Sequence, residues 1–405
     1  MGDTRDGWSL RALVPFFAAN VLFASGLFTH ALLYNFYLDA LGFAEGAMGA
    51  AAAALTAGGL VALAPAGVAV DRWGTRPVYL GAVTACAAGL ALGAVVERTG
   101  LVLAAAVLAG AGTASWRVAM GPILMNNTDV RVRSRAFSWN VALLLASGAV
   151  WTALAGSVSE NAATGSSALG GLRTALLAGA AGTALAGVAY LLLRGGAHGA
   201  HRTAARSPGT WGVVPTGLAV PREVGRLVLA VFVWMLGAAL VLPFFNLYFQ
   251  RVHGLGVARI GWVFAAAQAL TAVVVFGGGE LAQRWGPRRA FGVWGALFPA
   301  ALLAMLVVPG AAPAVLLFVL QGLPGPAANP LLDEIVLDTA PPERRGAASS
   351  WRTAATEGSG LVGAALGGVL LERFGFSPLL ALAAAVGGAG GWALWRSFRG
   401  ARRRG

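Results

Sequence analysis

Gly67-Val68-Ala69-Val70-Asp71-Arg72-Trp73-Gly74-Thr75-Arg76 follows the second long apolar run of the chain, and its triplet Arg72-Trp73-Gly74 returns 212 positions later as Arg284-Trp285-Gly286. The same spacing holds to either side. Gly42 recurs as Gly254 and Arg76 as Arg288, while Asn35 and Tyr37 recur 211 positions later as Asn246 and Tyr248. Arg133, Ala136 and Ser138 recur as Arg344, Ala347 and Ser349, again 211 apart. One offset shared by three separate loops marks an internal duplication, which sets the architecture before any local motif is weighed.

The duplicated material is apolar. Hydrophobic residues make up 58% of the 405 residues and charged residues 11%, against about 25% charged in a soluble domain. Runs of some 20 apolar residues match the thickness of a bilayer core. They predict spans near 10–36, 47–70, 77–96, 100–125, 136–157 and 172–193, then near 227–249, 259–281, 289–308, 313–337, 346–371 and 377–396. The expected fold is an all-α membrane protein of twelve transmembrane helices in two six-helix bundles. The bundles occupy 1–193 and 227–396, joined by a polar linker over 194–226 and followed by a basic tail over 397–405. Six spans per copy is an even number, so both copies enter the membrane in the same sense and form a parallel repeat. In transporters built on that plan a solute path runs between the halves, which rock to open it to each side in turn.

The net charge of +13 comes entirely from arginine, in short segments between apolar runs, which argues for topology and against nucleic-acid binding. With the N-terminus inside, 23 of the 29 arginines fall on cytoplasmic segments, so both termini are expected in the cytoplasm. The lack of lysine beside abundant Ala, Gly, Arg and Pro looks like a GC-rich bacterial genome and places the chain in a bacterial plasma membrane. No removable signal peptide is read at the N-terminus, where Asp3, Arg5, Asp6 and Arg11 precede the first apolar stretch. Cys86 has no second cysteine to pair with. His198 and His201 in the linker lack a nearby carboxylate or thiol, so no metal site is expected.

Each residue of the Gly67–Arg76 loop has a physical task. Gly67 permits close helix approach and Gly74 a tight turn. Arg72 and Arg76 hold the loop among inner headgroups or partner carboxylates. Asp71 sits at the negative end of its own helix and needs an arginine or another helix's N-terminus as partner, as in a conformational latch. The stretch resembles the signature of the major facilitator superfamily, Gly-x-x-x-Asp-Arg-x-Gly-x-Arg, in the loop between that family's second and third helices. The second copy keeps Arg284, Gly286, Arg288 and Arg289 but carries Gln283 in place of the acid. The resemblance therefore implies an asymmetric latch led by Asp71. The fifth span, Ser138 to Ser157, has no proline, unlike the Gly-Pro pair usual in the family's drug and proton antiporters.

Charges at bilayer depth are costly and are functional hypotheses by default. Arg117 lies in the fourth span, Asp333 and Glu334 in the tenth and Glu357 in the eleventh. In the family fold the first, fourth, seventh and tenth helices line the cavity. Arg117 then either holds a substrate carboxylate or phosphate or neutralises an acid. Glu357 is the leading candidate for proton coupling, with a fixed pairing to Arg352 or Arg117 as the alternative. Asp333 and Glu334 are read as ordinary solvated acids. His30 is a second proton-coupling candidate because histidine titrates near neutral pH, against a purely hydrogen-bonded role. Asn20, Gln268, Gln321 and Asn329 complete the candidate substrate cavity, and Asn35 with Asn246 suggest an outer cap or gate. Pro122, Pro243, Pro324, Pro326 and Pro330 are expected to bend three of the four cavity helices. Gly363-x-x-x-Gly367 reads as close helix packing.

These observations predict a secondary active transporter that works as a monomer in the lipid bilayer, carries a small organic solute and is driven by protons, with no cofactor. A Walker-type phosphate loop is absent, as are the constellations of a membrane enzyme. Efflux of an amphipathic compound is the leading reading. Uptake of a sugar or organic anion is the alternative, and a non-transporting sensor or scaffold is a third.

Overall fold

The computed structural model describes residues 13–193 and 221–397, with the side chains of 130–131, 275–283 and 287–288 left aside. The linker histidines His198 and His201, the N-terminal segment before Leu13 and the tail after Ser397 lie outside the described residues. Within them every regular element is a helix. Apolar runs in a bilayer must satisfy each backbone N–H and C=O internally, and a helix does so within one segment.

The first six helices are α1 (Val14–Ala40), α2 (Glu45–Trp73), α3 (Thr75–Gly93), α4 (Thr99–Asn126), α5 (Val130–Thr164) and α6 (Ala168–Leu191). Each is a continuous span. In the second half the corresponding spans are in pieces at two places. The seventh span consists of α7 (Arg222–Val241), a single 3-10 turn at Leu242–Phe244, and α8 (Phe245–His253). Then come α9 (Val257–Trp285) and α10 (Pro287–Met305), followed by a tenth span split into α11 (Ala311–Gly322) and α12 (Pro324–Thr339). The chain closes with α13 (Arg345–Phe374) and α14 (Phe376–Ser397). Among the described residues eleven spans are long and apolar enough to cross a membrane, and Arg289–Met305 is a shorter apolar helix in the remaining position.

Several ends differ from the sequence expectation. α7 begins at Arg222, inside the expected linker, and α5 extends more than a turn beyond both ends of its expected span. Both extensions carry polar residues that hydropathy discounts but that a helix accepts once it leaves the apolar layer. The prolines divide into two groups. Pro243 and Pro324 interrupt their spans, whereas Pro122 and Pro330 lie inside continuous helices. Pro326 falls in the first turn of α12, where a missing N–H costs nothing.

The duplication is visible in the backbone. Gly42 and Gly254 both have positive φ, of 80° and 63°, and so do Gly74 and Gly286, at 81° and 78°. These are left-handed conformations that a residue with a Cβ resists, so the same turns are kept at the same points of both copies.

The chain divides into two compact units. The first comprises Met1–Leu41 with Ala54–Gly212, and the second Gly42–Ala53 with Val213–Gly405. The core of the first unit gathers Phe16, Phe23, Tyr79, Trp116, Ile123 and Tyr190. Its helices cross on glycines: a Cβ on Gly58 would strike the Val107 carbonyl, and one on Gly110 the Leu55 carbonyl. The second unit packs Val231, Trp234, Phe291, Leu332, Ala348 and Leu394. There Gly363 lies against Ala239, and Gly367 against the Leu240 carbonyl, so the small-xxx-small spacing is a close crossing of α13 and α7. The first turns of α2 group with this second unit, where Glu45 pairs with Arg251 and the Glu372 carboxylate accepts the Gly46 N–H at 2.9 Å.

Candidate functional site

The first unit holds a polar knot inside its apolar core. The Asn20 amide nitrogen on α1 donates to Asn140 Oδ1 on α5 at 2.7 Å. Asn20 Oδ1 in turn accepts from the Tyr79 hydroxyl of α3 and the Trp116 indole N–H of α4, each at 3.1 Å. All four side chains are buried. Phe23 stacks on Trp116 at 4.2 Å and Tyr190 on Tyr79 at 4.1 Å, which closes the knot with rings above and below. One asparagine thus ties four helices together, with both of its functional groups engaged within the unit. The sequence reading named Asn20 but missed Asn140, whose signal was an uncharged polar residue early in the fifth span.

More bonds lock α1 to its neighbours. Thr183 donates to the Phe23 carbonyl at 3.1 Å, Ser25 to the Gly179 carbonyl at 3.1 Å, and the Trp151 indole to the Val21 carbonyl at 2.8 Å. At the far end of α1 the Tyr37 hydroxyl donates to the Ala94 carbonyl at 2.7 Å. It accepts from Arg173 at 3.2 Å, and Arg173 also pairs with Glu97 at 3.0 Å. His30 lies on the same helix with its ring stacked on Tyr34 at 4.0 Å.

Arg117 follows buried Trp116 and has an exposed side chain, because one step along a helix turns a side chain about 100°. The expected loop is reduced to Gly74: Asp71 and Arg72 are exposed in the last turn of α2, Arg76 is exposed in the first turn of α3, and Gly74 supplies the turn between the two helices. Gly286 does the same before α10. Arg284 is exposed, Gln283 and Arg288 belong to the side chains left aside, and Gly67 is partly buried in the last turns of α2.

The second unit has a different interior. Gln321, one turn before the break at Pro324, is buried, and its Oε1 has no hydrogen-bond donor among the described residues. A buried amide oxygen left unpaired costs about 1–3 kcal/mol. Gln268 and Asn329 are partly buried. Arg352 Nε on α13 lies 2.5 Å from Asp333 Oδ1 on α12, but its N–H does not point along that line, so this is an ion pair without an aligned hydrogen bond. Asp333, read from sequence as a solvated acid, thus has a cationic partner, the one also considered for Glu357. Glu357 is half-buried one turn further along α13. Asn35 and Asn246 are both buried, and Asn246 Oδ1 accepts the Leu247 N–H at 2.9 Å. No cluster of three metal-ligating side chains occurs among the described residues.

Both units therefore place few ionisable groups at bilayer depth. No curated protein matches the chain. Solved structures with the same fold include the nucleoside transporter NupG, with a TM-score of 0.79 at 15% identity, covering 96% of this chain and 98% of that one. A bacterial homologue of the iron transporter ferroportin gives a TM-score of 0.74 at 16% identity, covering 96% and 99%. A bacterial homologue of the lysosomal transporter Spinster gives 0.70 at 14% identity, covering 96% and 93%. The profile of the Major Facilitator Superfamily matches residues 16–277 and, overlapping them, 227–404, and the chain belongs to that superfamily of membrane transporters.

Proposed function

We propose that this transporter exports a small amphipathic organic solute by alternating access coupled to protons. The observation that carries the reading is the scarcity of charge in the spans, where Arg117, Asp333, Glu334, Arg352 and Glu357 stand among mostly apolar and uncharged polar side chains. A cavity so lined has little to offer a multiply charged solute, because polar groups leaving water need matched partners.

In this reading Arg117, Gln268, Gln321 and Asn329 meet the solute. Gln321 is favoured by its unpaired, buried oxygen beside a broken helix, a setting in which transporters place binding groups. Asn20, with both groups engaged, supports the cavity wall. Glu357 carries the coupling proton, as the half-buried carboxylate of the eleventh span, and His30 is the second candidate. Asp71 forms the latch with Arg72 and Arg76, framed by Gly67 and Gly74, and the second copy, Arg284, Gly286 and Arg288, serves as its weaker counterpart.

The test begins with a thermal-shift screen of amphipathic organics, sugars, organic anions and nucleosides, the last because of the likeness to NupG. Transport of any stabilising compound is then followed in proteoliposomes under an imposed pH step. Proton-driven export of an amphipathic compound is expected, and Glu357→Gln is expected to lower it by about tenfold or more, as for loss of an essential proton carrier. Proton-driven transport that survives Glu357→Gln overturns the coupling assignment. Movement of sugars or organic anions alone, abolished by Arg117→Gln, replaces export with uptake.

A further inference from the structure

Helices α10 and α14 pack antiparallel with bare backbone between them. Gly292 faces Trp395, a Cβ placed on Gly295 would lie 3.8 Å from the Gly391 Cα, and one on Gly388 would lie 3.5 Å from the Pro299 ring, so the pairing runs in one register for two turns. Where the glycines leave out side chains a groove of about 250 Å³ opens, walled by Phe291, Pro299, Trp392 and Trp395. Trp392 is 58% exposed and Val293 44% exposed beside it. The only polar side-chain group lining the groove is the indole of its tryptophans.

Charge is confined to one end. α10 starts with Arg288 and Arg289, α14 ends with Arg396, and neither helix contains an Asp or Glu. The antiparallel register brings exposed Arg289 to the same end as Arg396, whose guanidinium lies 4.6 Å from the Trp392 ring centroid. The first helical turn of α10 thus faces the last of α14, with cations there and apolar groove beyond.

We infer that this groove binds an anionic phospholipid, with an acyl chain along the glycines and the phosphate between Arg289 and Arg396. The groove is smaller than the ~300–1,000 Å³ of sites that enclose a drug-sized solute. It is also nearly without polar groups to orient one, whereas a methylene chain needs only contact. Two arginines with no acid on either helix favour an anionic headgroup, since each cation near a membrane surface attracts acidic lipid. Tryptophan at the groove mouth fits the interfacial depth at which headgroup and chain meet.

Native mass spectrometry of the purified full-length protein tests the site, using phosphatidylglycerol and phosphatidylcholine with identical acyl chains. The wild type is expected to retain phosphatidylglycerol about tenfold more strongly, the order expected of two surface cations. Arg289→Gln with Arg396→Gln is expected to erase that preference while phosphatidylcholine binding stays. Gly388→Leu fills the groove from a position where a Cβ meets Pro299 at ordinary contact distance, and both lipids are expected to be lost together. An unchanged preference in the double variant overturns the inference, and that variant alters only exposed side chains, so it decides the matter even if Gly388→Leu does not fold. Unchanged lipid retention in folded Gly388→Leu also overturns it. So does a wild-type dimer that Gly388→Leu dissolves, which assigns the groove to a second copy. None of these outcomes depends on which solute is transported.

Discussion

The two units share a backbone plan and differ in what fills it. Gly42 and Gly254, and Gly74 and Gly286, make the same positive-φ turns, yet Asn20 and Tyr79 of the first core correspond to Val231 and Phe291 of the second. Trp116 corresponds to an alanine, Ala327 or Ala328, at either offset. The first unit is thus knotted by hydrogen bonds and its six spans are unbroken. The second is packed by apolar contact, and its seventh and tenth spans are broken at Pro243 and Pro324. Pro243 stands where the first copy has buried Leu32. Duplication has preserved the turns that aim the helices, where only glycine fits, while interiors diverged because several side-chain sets fill a similar volume.

The largest effects are expected where the units agree. Gly110→Val in the first unit and Gly367→Val in the second each drive a side chain into a neighbouring helix carbonyl. Each is expected to cost upward of about 3 kcal/mol, the top of the overpacking range, and to abolish a monodisperse species in size-exclusion chromatography. A well-behaved Gly110→Val protein would show that α2 and α4 do not cross on that glycine.

The polar knot separates the units. Asn20→Val installs the second unit's residue and strands Tyr79, Trp116 and Asn140. With interhelical hydrogen bonds in membranes worth about 0.6–1.7 kcal/mol each, the three bonds predict a loss of about 2–5 kcal/mol in reversible unfolding. Adding Tyr79→Phe, Trp116→Phe and Asn140→Leu removes the stranded partners, and at least half the loss is expected to return. If the quadruple variant is less stable than Asn20→Val alone, the knot shapes its surroundings in ways the apolar core cannot replace.

Helix breaks come next. Pro243→Ala and Pro324→Ala allow the ladder to close and are expected to slow transport about fivefold through stiffer gating, with Tm raised or unchanged. Pro122→Ala, inside a continuous helix, is expected to change rates by less than about twofold on the same argument. Equal effects for all three would detach the breaks from function. The smallest effect is expected from Arg352→Gln. Asp333 remains 47% exposed, so water compensates it and the loss stays below about 1 kcal/mol, measurable as a minor drop in Tm. A larger drop would mean that the pair anchors α12 to α13.

Much of the fold was legible because bilayer physics writes it into composition. Apolar run length set the spans, and one recurring offset set the duplication. The interior was less legible. Asn140 was missed because an uncharged residue in an apolar run gives no sign of which face of α5 turns inward. Asp333 was read as a solvated acid, whereas it lies against Arg352 across the helix boundary, since separation along the chain does not encode which turns of two helices come level. Pro243 and Pro122 look alike in sequence, yet one breaks a span and the other does not. A proline removes one hydrogen bond, and whether the helix opens depends on what packs around the vacated carbonyl.

By itself, then, the sequence determined the helical class, the duplicated six-span plan, the loop motif and the turns that require glycine. These follow from hydrophobicity and backbone sterics, which are local properties of the chain. Only the tertiary structure decided that Asn20 is tied up inside a core, that Gln321 keeps a buried oxygen unpaired, and that α10 and α14 leave a groove with arginines at one end. Those features arise where distant segments meet, and the side chains involved are chemically unremarkable until packing brings them together.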